Sequence, residues 1–444
     1  MTTAHTAQAT RDRAGWGRNG RRWRRGLGVG TAVASAALML AACGSGSPGS
    51  GTASGSASTT AAGSGTTGSG TTGSGTTGGS SAASPGSGGS STTAAGGSGA
   101  SADLAYVQSQ VAKYSKLPTF KAPGAAFNAK KVMAGKAIFS IPVNSSDQFV
   151  QVLETDYSQV AKMVGFKFVD WRNQGKPSEW VRGMDSGVSQ HASLIDLLAG
   201  IDPKHLAPQI SQAKAAKIPV VASDAYGLHQ PTDPALTATM NVPYGEAGTL
   251  MADWTTADSK GHADVLVIGS SDVAASPYQV GHIKTAFTKY CPGCKVKYID
   301  IPVADWASQT QSQVQAALSA DPNLDYVLPV YDSQSQFIVP AIKAAGRDGK
   351  VHIVTYDGTA FVLKMMEQGN IVAMDVGENL KWVAWAIADQ EMRVAGGLKP
   401  VPNENTPLMI FTKKNVSTAG TPPKPSTGYG NAYVSGYEHL WGLK

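Results

Sequence analysis

From residue 130 onward, the hydrophobic pattern of the chain alternates between two kinds of segment. Short, nearly continuous apolar runs rich in β-branched residues lie at 137–143, 166–171, 193–198, 219–222, 263–269, 296–301, 326–330, 351–356 and 371–376. Between them, apolar residues recur at helical spacing in 149–164, 205–217, 244–257, 283–290, 306–320, 336–345 and 380–394. Apolar strands separated by helices are typical of parallel sheets covered on both faces. The pattern predicts an α/β fold, and the length of this part of the chain suits two domains.

The loops after the predicted strands are where we expect a ligand. Right-handed crossovers bring the carboxyl ends of parallel strands to one edge of the sheet, which is where ligands bind in such folds. These loops are rich in Asp, Ser, Asn and aromatic residues, as in NSSD at 144–147, SDAY at 223–226, YDS at 331–333 and DGT at 357–359. Such side chains suit a small polar molecule. No predicted strand is followed by GxGxxG or GxxxxGK[ST], so nucleotide binding through a phosphate cradle has no support.

Charge divides the chain into three parts. Residues 1–43 hold seven Arg and one acid, Asp12, whereas residues 44–102 hold no charged residue. Of the 37 basic and 31 acidic residues in the chain, 30 of each therefore lie in 103–444. Because this body is neutral, a basic surface for nucleic acid has no compositional support, and we expect no nucleic-acid partner.

The N-terminal segment has the features of an export signal. A basic stretch ends at Arg25, and an apolar stretch of about 14 residues follows at 27–40, too short to span a bilayer but long enough for a signal peptide. The sequence LAAC at 40–43 resembles the lipobox of bacterial lipoproteins. That resemblance implies a signal peptide at 1–42 and lipid attached to Cys43. The alternative is an ordinary secretory signal with an incidental cysteine.

Residues 43–102 consist almost entirely of Gly, Ser, Thr and Ala. A segment of this composition has little apolar area to bury and is expected to be a flexible tether with a mean reach of roughly 40 Å. We therefore expect an extracytoplasmic protein that is held at the cell membrane by its lipid anchor.

Three segments of the body carry a resemblance to a known family: AKIPVVASD at 216–224, AAG at 344–346 and VTYDGT at 354–359. They resemble type I periplasmic binding proteins, and most closely the ribose-binding-like components of sugar ABC importers. The resemblance implies an α/β fold of two doubly wound parallel-sheet lobes that are joined by a three-strand hinge and close on a ligand. The implied boundaries are 103–240 with 378–405 for lobe one, 241–377 with a returning strand at 406–412 for lobe two, and 413–444 for a C-terminal extension.

The resemblance also implies which residues bind the ligand. Asp224 and Asp357 match aspartates that accept hydrogen bonds from sugar hydroxyls, and Phe149 and Trp306 match aromatic residues that stack on sugar rings. The full expected set is Asn144, Phe149, Asp224, Tyr226, Trp306, Tyr331, Asp357 and Glu378. Ordinary structural roles are the alternative, because Asp favours turns and helix N-caps and large aromatic residues usually pack in a core.

The chain departs from the ribose-binding pattern at four of its positions. Ala225 and Val280 stand where arginines are expected, Tyr331 stands in place of an asparagine, and Glu378 lies near an expected glutamine. The predicted site is therefore more aromatic and less cationic than a ribose site, which disfavours an anionic ligand. A neutral sugar or polyol is the expected ligand, and an uncommon sugar or a small cation held by Tyr, Trp and Asp remains an alternative.

Cys291-Pro292-Gly293-Cys294 forms a CxxC motif after a predicted helix. A redox-active pair usually has its first cysteine at a helix N-terminus, and there is no second CxxC to complete a zinc site. Outside the cytoplasm, a small structural disulfide between Cys291 and Cys294 is the expected state. An exported thiol oxidoreductase is the alternative, and we expect no metal site.

We expect a binding protein and not an enzyme, because the chain contains neither a GxSxG nor an HExxH motif. The predicted function is to capture a sugar or polyol in the cleft between two lobes and to deliver it to an ABC permease. We expect a monomer that needs no cofactor. The alternative function is that of a sensory binding lipoprotein that reports its ligand to a membrane receptor.

Overall fold

The computed structural model describes residues 98–444, with side chains from residue 103 onward. The predicted signal peptide at 1–42, the predicted lipidation site Cys43 and nearly all of the predicted tether at 43–102 lie outside the described residues. Among the helices of residues 98–444, none is both long enough and apolar enough to cross a membrane.

Residues 98–444 contain eleven strands and twelve α-helices. The strands are β1 Ala137–Pro142, β2 Lys167–Asp170, β3 Leu194–Leu198, β4 Val220–Gly227, β5 Ala238–Val242, β6 Asp264–Gly269, β7 Lys295–Asp300, β8 Tyr326–Pro329, β9 His352–Asp357, β10 Val372–Glu378 and β11 Leu408–Thr412. The helices are α1 Ser98–Tyr114, α2 Ala129–Val132, α3 Gln148–Val164, α4 Pro177–Ser189, α5 Ala207–Ala215, α6 Tyr244–Asp258, α7 Ser276–Tyr290, α8 Trp306–Ala320, α9 Ser335–Ala344, α10 Ala360–Gln368, α11 Leu380–Ala395 and α12 Ala432–Leu440. Each of the nine predicted strands is confirmed.

The strands form two sheets, one in each lobe. The first sheet has the order β2-β1-β3-β4-β5 and is parallel throughout, and the second has the order β11-β10-β9-β8-β6-β7. In the second sheet only β11 runs antiparallel, against β10. The predicted fold class of two doubly wound α/β lobes is therefore confirmed.

Strand β6 illustrates why these strands are apolar along their whole length. Val265 and Val267 pack in the core that continues into the first lobe, whereas Leu266 and Ile268 pack in a separate core on the other face of the second sheet. Because successive side chains point to opposite faces, a strand covered by helices on both sides needs an apolar residue at every position.

Between β5 and β11, the chain crosses between the lobes three times. It leaves the first sheet at Val242 and starts α6 beside the second sheet, and it leaves the second sheet at Glu378 and starts α11, which packs on α3 of the first lobe. It then returns to pair β11 with β10. These crossings place Glu378, which had been grouped with the first lobe, at the end of a strand in the second sheet.

The N-terminal helix belongs to the second lobe, which corrects the grouping of residues 103–114 with the first. Helix α1 packs on α6 and α7 of the second lobe, where Tyr106 stacks on Tyr290 with ring centroids 4.6 Å apart and Tyr114 donates a hydrogen bond to Glu246. After α1 the chain reaches the first lobe, and the Phe127 amide donates to the carbonyl of Leu440 at 2.8 Å.

The C-terminal helix α12 packs on α11 of the first lobe. Trp385 of α11 stacks on Trp441 at 5.2 Å between ring centroids, and Trp382 stacks on Tyr433 at 5.0 Å. The indole N–H of Trp441 also donates to Asp389 of α11 at 2.7 Å. Helix α12 and Trp441, at the end of the segment predicted as a C-terminal extension, are thus part of the aromatic core of the first lobe.

Candidate functional site

A cavity lies between the lobes, at the carboxyl ends of both sheets. From the first lobe it is lined by Val143, Asp147, Phe149, Val150 and Ala199, and from the second lobe and the first crossing by Tyr244, Val273, Val303, Trp306, Tyr331, Ser333 and Asp357. Most of these residues directly follow a strand or begin a helix, as ligand-binding residues do in open α/β sheets. The lining is mainly apolar and aromatic, with a few polar groups, which is the usual composition of a small-molecule site.

Direct hydrogen bonds hold the two lobes together around this cavity. The Ser333 hydroxyl of the second lobe donates to Asp147 Oδ1 of the first at 2.7 Å. At the other side of the cleft, the Ala274 amide donates to the carbonyl of Gly200 at 3.0 Å, and the Gln230 side-chain amide donates to the carbonyl of Ala274 at 2.7 Å. The structure is therefore that of a closed cleft.

Aromatic rings from both lobes form the walls of the cavity. Phe149, in the first turn of α3, is 8% exposed. On the opposite wall, the indole N–H of Trp306 donates to the Ser270 hydroxyl at 2.9 Å and to the carbonyl of Ile301 at 3.1 Å, which fixes the ring. Tyr331 lies beside it, with the two ring centroids 6.1 Å apart. Rings held in this way offer flat π surfaces to an apolar or cationic face of a ligand.

Asp357 is one of two acidic residues that line the cavity, the other being Asp147. Asp357 ends β9 with φ +137°, and its Oδ2 accepts a hydrogen bond from the Asp332 amide at 2.9 Å. Non-glycine residues with positive φ are uncommon and cluster at binding sites, where the surrounding structure must hold them in place. Burial raises the pKa of Asp357 well above its usual range, and the nearby carboxylates of Asp332 and Glu378 raise it further.

Asp224 lies behind the cavity lining and is fully buried. It occurs within β4 at φ +53°, and its Oδ1 accepts a hydrogen bond at 2.9 Å from the hydroxyl of Tyr244, which does line the cavity. Burial raises the pKa of Asp224 to about 7, although the hydrogen bond from Tyr244 opposes the rise. Tyr244 therefore connects this carboxyl group to the cleft.

Glu378, at the end of β10, is 1% exposed. Within residues 98–444, neither of its carboxylate oxygens accepts a hydrogen bond of good geometry, although the Tyr356 hydroxyl is a neighbour. Burial raises the pKa of Glu378 well above its usual range, and the charge of Asp224 adds to this rise, while the neighbouring Tyr356 hydroxyl opposes it. Buried acceptors in this condition carry a free-energy cost that a bound hydrogen-bond donor would remove.

Polar groups outside the cavity lining hold the loop that follows Asp357 in place. Asp332 accepts hydrogen bonds from the amide and the hydroxyl of Thr359, at 2.8 and 2.5 Å, and Asp375 accepts one from the amide of Gly358 at 3.1 Å. A β-carbon at Gly358 would lie 2.2 Å from the hydroxyl oxygen of Tyr429. The glycine after Asp357 is thus required both by this close approach and by its φ of +73°.

The expected ligand-binding residues fall into three groups. Those that line the cavity are Phe149, Trp306, Tyr331 and Asp357, and those buried behind its lining are Asp224 and Glu378. Asn144 lines an outer groove at the cleft entrance, where its side chain accepts hydrogen bonds from the Ser146 amide and hydroxyl at 2.9 and 2.7 Å.

Tyr226 lies apart from the cavity lining. Its ring is 5% exposed, and its pKa is raised to about 12 by burial and by the charges of Asp202 and Asp233, which belong to surface loops of the first lobe. Because Asp224 has a left-handed backbone conformation, the side chains after it do not continue the regular alternation of β4. This explains why Tyr226 does not lie beside Asp224 behind the cavity lining.

Three lining residues with polar groups were not among those expected: Asp147, Ser333 and Tyr244. Asp147 caps α3 by accepting a hydrogen bond from the Phe149 amide at 2.9 Å, which is an ordinary role for this residue type. Its second role, as the acceptor for Ser333, depends on a residue 186 positions away and on closure of the cleft. Asp147 and Ser333 both occur in polar loops after predicted strands, and this is the one feature of the sequence that points to them.

Cys291 and Cys294 form a disulfide at the end of α7, away from the cleft. Their Cα atoms are 5.3 Å apart, Cys291 is 2% exposed, and the Ala263 amide donates to Cys294 Sγ at 3.2 Å. The first cysteine follows a helix C-terminus, where the helix dipole does not favour a thiolate.

The sequence matches the family model described as periplasmic binding protein domain over residues 137–399, more than half of the chain. The chain belongs to the periplasmic binding protein family. The match begins at the first residue of β1 and extends beyond α11, so it takes in both lobes of this periplasmic binding protein except α1, α2, β11 and α12. No curated protein matches the chain significantly.

Solved structures with the same fold include three solute-binding proteins of transporters, two of them of ABC transporters. A protein from Agrobacterium vitis with bound allitol is 18% identical, with a TM-score of 0.57 over 64% of this chain and 98% of that one. A protein from Mycobacterium smegmatis with bound glycerol is 16% identical, with a TM-score of 0.58 over 66% and 99%. The 5-methylthioribose-binding protein from Thermotoga lettingae is 19% identical, with a TM-score of 0.57 over 69% and 99%. At these identities, the likeness shows the fold.

Proposed function

We propose that this periplasmic binding protein captures a sugar or polyol in its interlobe cleft and delivers it to an ABC permease. We further propose that it acts outside the cytoplasm as a monomer, anchored to the membrane by lipid on Cys43. Its role is binding and not catalysis. Contacts from both lobes to one ligand favour the closed state, and the permease recognises that state.

The observation that carries this proposal is the composition of the cavity. The first lobe contributes Phe149 and Asp147, and the second contributes Trp306, Tyr331 and Asp357. A ring stacked on the C–H face of a sugar and a carboxylate that accepts from its hydroxyls are the two contacts that such a ligand requires. The solute-binding proteins of similar fold were solved with allitol, glycerol and 5-methylthioribose, which supports a polyhydroxylated ligand.

A thermal-shift screen of residues 103–444 against sugars and polyols tests the proposal, with calorimetry to measure the affinity of any ligand found. We expect at least one ligand that raises the melting temperature, with an affinity that Trp306→Ala weakens at least tenfold. The control variant Trp254→Ala changes an aromatic residue of α6 that is outside the cavity lining and should leave the affinity unchanged. Failure of every sugar and polyol at millimolar concentration would contradict the proposal.

A further inference from the structure

Acidic side chains lie both in the cavity and behind its lining. Asp224, Asp357 and Glu378 are each at most 3% exposed, and they are close enough for the charges of Asp224 and Glu378 to act on one another and for Glu378 to act on Asp357. None of these three carboxyl groups takes part in a salt bridge within residues 98–444. Burying several carboxylates together without a positive charge is costly.

The four arginines of the body do not supply that charge. Arg172 pairs with Glu154 and Asp170, Arg182 with Glu179, and Arg393 with Asp389. The side chain of Arg347 donates to the carbonyl of Leu324 at 2.8 Å. All four are therefore engaged elsewhere in the fold.

Hydrogen-bonding capacity at the cavity is also unfilled. Tyr331 lines the cavity and is 8% exposed, and its hydroxyl has no hydrogen-bond partner in the described part of the chain. Asp224 Oδ2 and both carboxylate oxygens of Glu378 also lack a hydrogen-bond partner within residues 98–444. Burial raises the pKa of Tyr331 well above its usual range, and the charges of Asp357, Asp224, Asp272 and Glu378 raise it further, so these acids lie near its hydroxyl.

The walls of the cavity favour positive charge as well. Phe149, Tyr244, Trp306 and Tyr331 all line it, and Tyr244 and Tyr331 meet edge to face with centroids 6.5 Å apart. Aromatic faces attract a desolvated cation through their quadrupoles. Carboxylates and aromatic rings together are the pattern that proteins use to bind an organic ammonium group.

We propose that the ligand of this cleft carries a positively charged amine, as an amino sugar or amino polyol does. Its ammonium group donates to Asp357 and balances the charges of Asp224 and Glu378, while its hydroxyl groups use the remaining polar partners. This inference rests on the proposed function, because it assumes a polyhydroxylated ligand in the interlobe cleft. It replaces the neutral ligand that the sequence favoured, and it explains why Glu378 stands near an expected glutamine.

Calorimetry with matched pairs of probes tests this inference. D-Glucosamine and D-glucose, D-galactosamine and D-galactose, and serinol and glycerol each differ by an amine in place of a hydroxyl. We expect at least one amine to bind at least tenfold more tightly than its neutral twin at pH 7. We also expect that binding to release protons, measured as a dependence of the heat on the buffer, because the cation favours the ionised carboxylates.

The outcomes separate this inference from the proposed function. If a neutral twin binds as tightly as its amine, or more tightly, the inference is wrong and the sugar-binding function stands. If neither class binds at millimolar concentration, both are wrong. Preferential binding of putrescine, K⁺ or Mg²⁺ over every probe with hydroxyl groups would overturn both the amino-sugar class and the proposed sugar-binding function.

The variant Glu378→Gln tests the residue that carries the argument, since glutamine keeps the shape and removes the charge. Its affinity for the amine should fall at least tenfold, and its affinity for the neutral twin should fall less. Asp357→Asn should show the same loss of preference and provides a second test if Glu378→Gln does not fold. Asp185→Asn, at an exposed acid of α4, should change neither affinity. An equal loss for both twins in both site variants would mean a structural role and would overturn the inference.

Discussion

Closure of the cleft depends on a glycine that touches the opposite lobe. Gly200 has φ +94°, and a β-carbon at this position would lie 2.3 Å from Cγ1 of Val273. Gly200→Ala should therefore oppose the closed state, in which the two residues meet, by about 1–3 kcal/mol, the usual cost of overpacking. Because the open state is free of this clash, the dissociation constant of the ligand should rise roughly 5- to 150-fold.

Two further variants separate the clash from the strain of alanine at positive φ. Gly346 has φ +65°, and a β-carbon there would meet nothing within 4 Å, so Gly346→Ala introduces comparable strain without a contact. This variant should lower the melting temperature and leave the affinity unchanged. Adding Val273→Ala to Gly200→Ala should recover part of the lost affinity, relative to Val273→Ala alone, because it removes the clashing methyl group.

The assay combines calorimetry with small-angle X-ray scattering. The Gly200→Ala protein should show a larger radius of gyration than the wild type at equal, subsaturating ligand concentration. If folded Gly200→Ala protein binds the ligand as tightly as the wild type and contracts to the same radius, the contact between Gly200 and Val273 does not form on ligand binding. The closure mechanism would then be refuted.

Three other predictions follow from separate parts of the molecule. Cys43→Ala should turn a membrane-pelleting protein into a precursor or a released protein, and a wild type that is soluble after lysis and lacks acyl mass would contradict lipid anchoring. Replacing Cys291 and Cys294 by Ser should leave ligand affinity unchanged in calorimetry, because the disulfide lies outside the cleft. Burial raises the pKa of Asp224 to about 7, so the folded protein holds this proton more tightly than the unfolded chain, and the resulting stability is lost as the pH rises through 7. The melting temperature without ligand should therefore fall between pH 5 and pH 8 in scanning calorimetry, and Asp224→Asn should reduce that fall.

Much of the fold was predictable because the strands of covered parallel sheets are apolar along their length. The strand that was missed, Ala238–Val242, has the sequence ATMNV and lies at the edge of the first sheet, where burial is incomplete. The lobe to which α1 belongs was also missed, because its contacts with α6 and α7 are made by residues more than 100 positions away. Local periodicity carries no information about such a partner.

The site was predictable to the extent that the family resemblance fixed positions at strand ends. Trp306 and Asp357 line the cavity as expected, because the strand-to-helix loops meet at one edge of each sheet. The part played by Asp147 was not predictable, since its capping role accounts fully for an Asp at that position. Glu378 was expected from its place in the family pattern, but its burial beside Asp224 was not predictable from its residue type.

Calorimetric titration of Asp224→Ala and Asp357→Ala tests most directly whether one ligand binds between the lobes. Asp357 belongs to the second lobe and lines the cavity, and Asp224 belongs to the first and acts through Tyr244. A hydrogen bond to a charged group is worth about 1.5–3 kcal/mol. Each variant should thus bind the ligand roughly tenfold to a hundredfold more weakly, while circular dichroism shows a folded protein. Unchanged affinity in both folded variants would place the binding site elsewhere and contradict the proposed function.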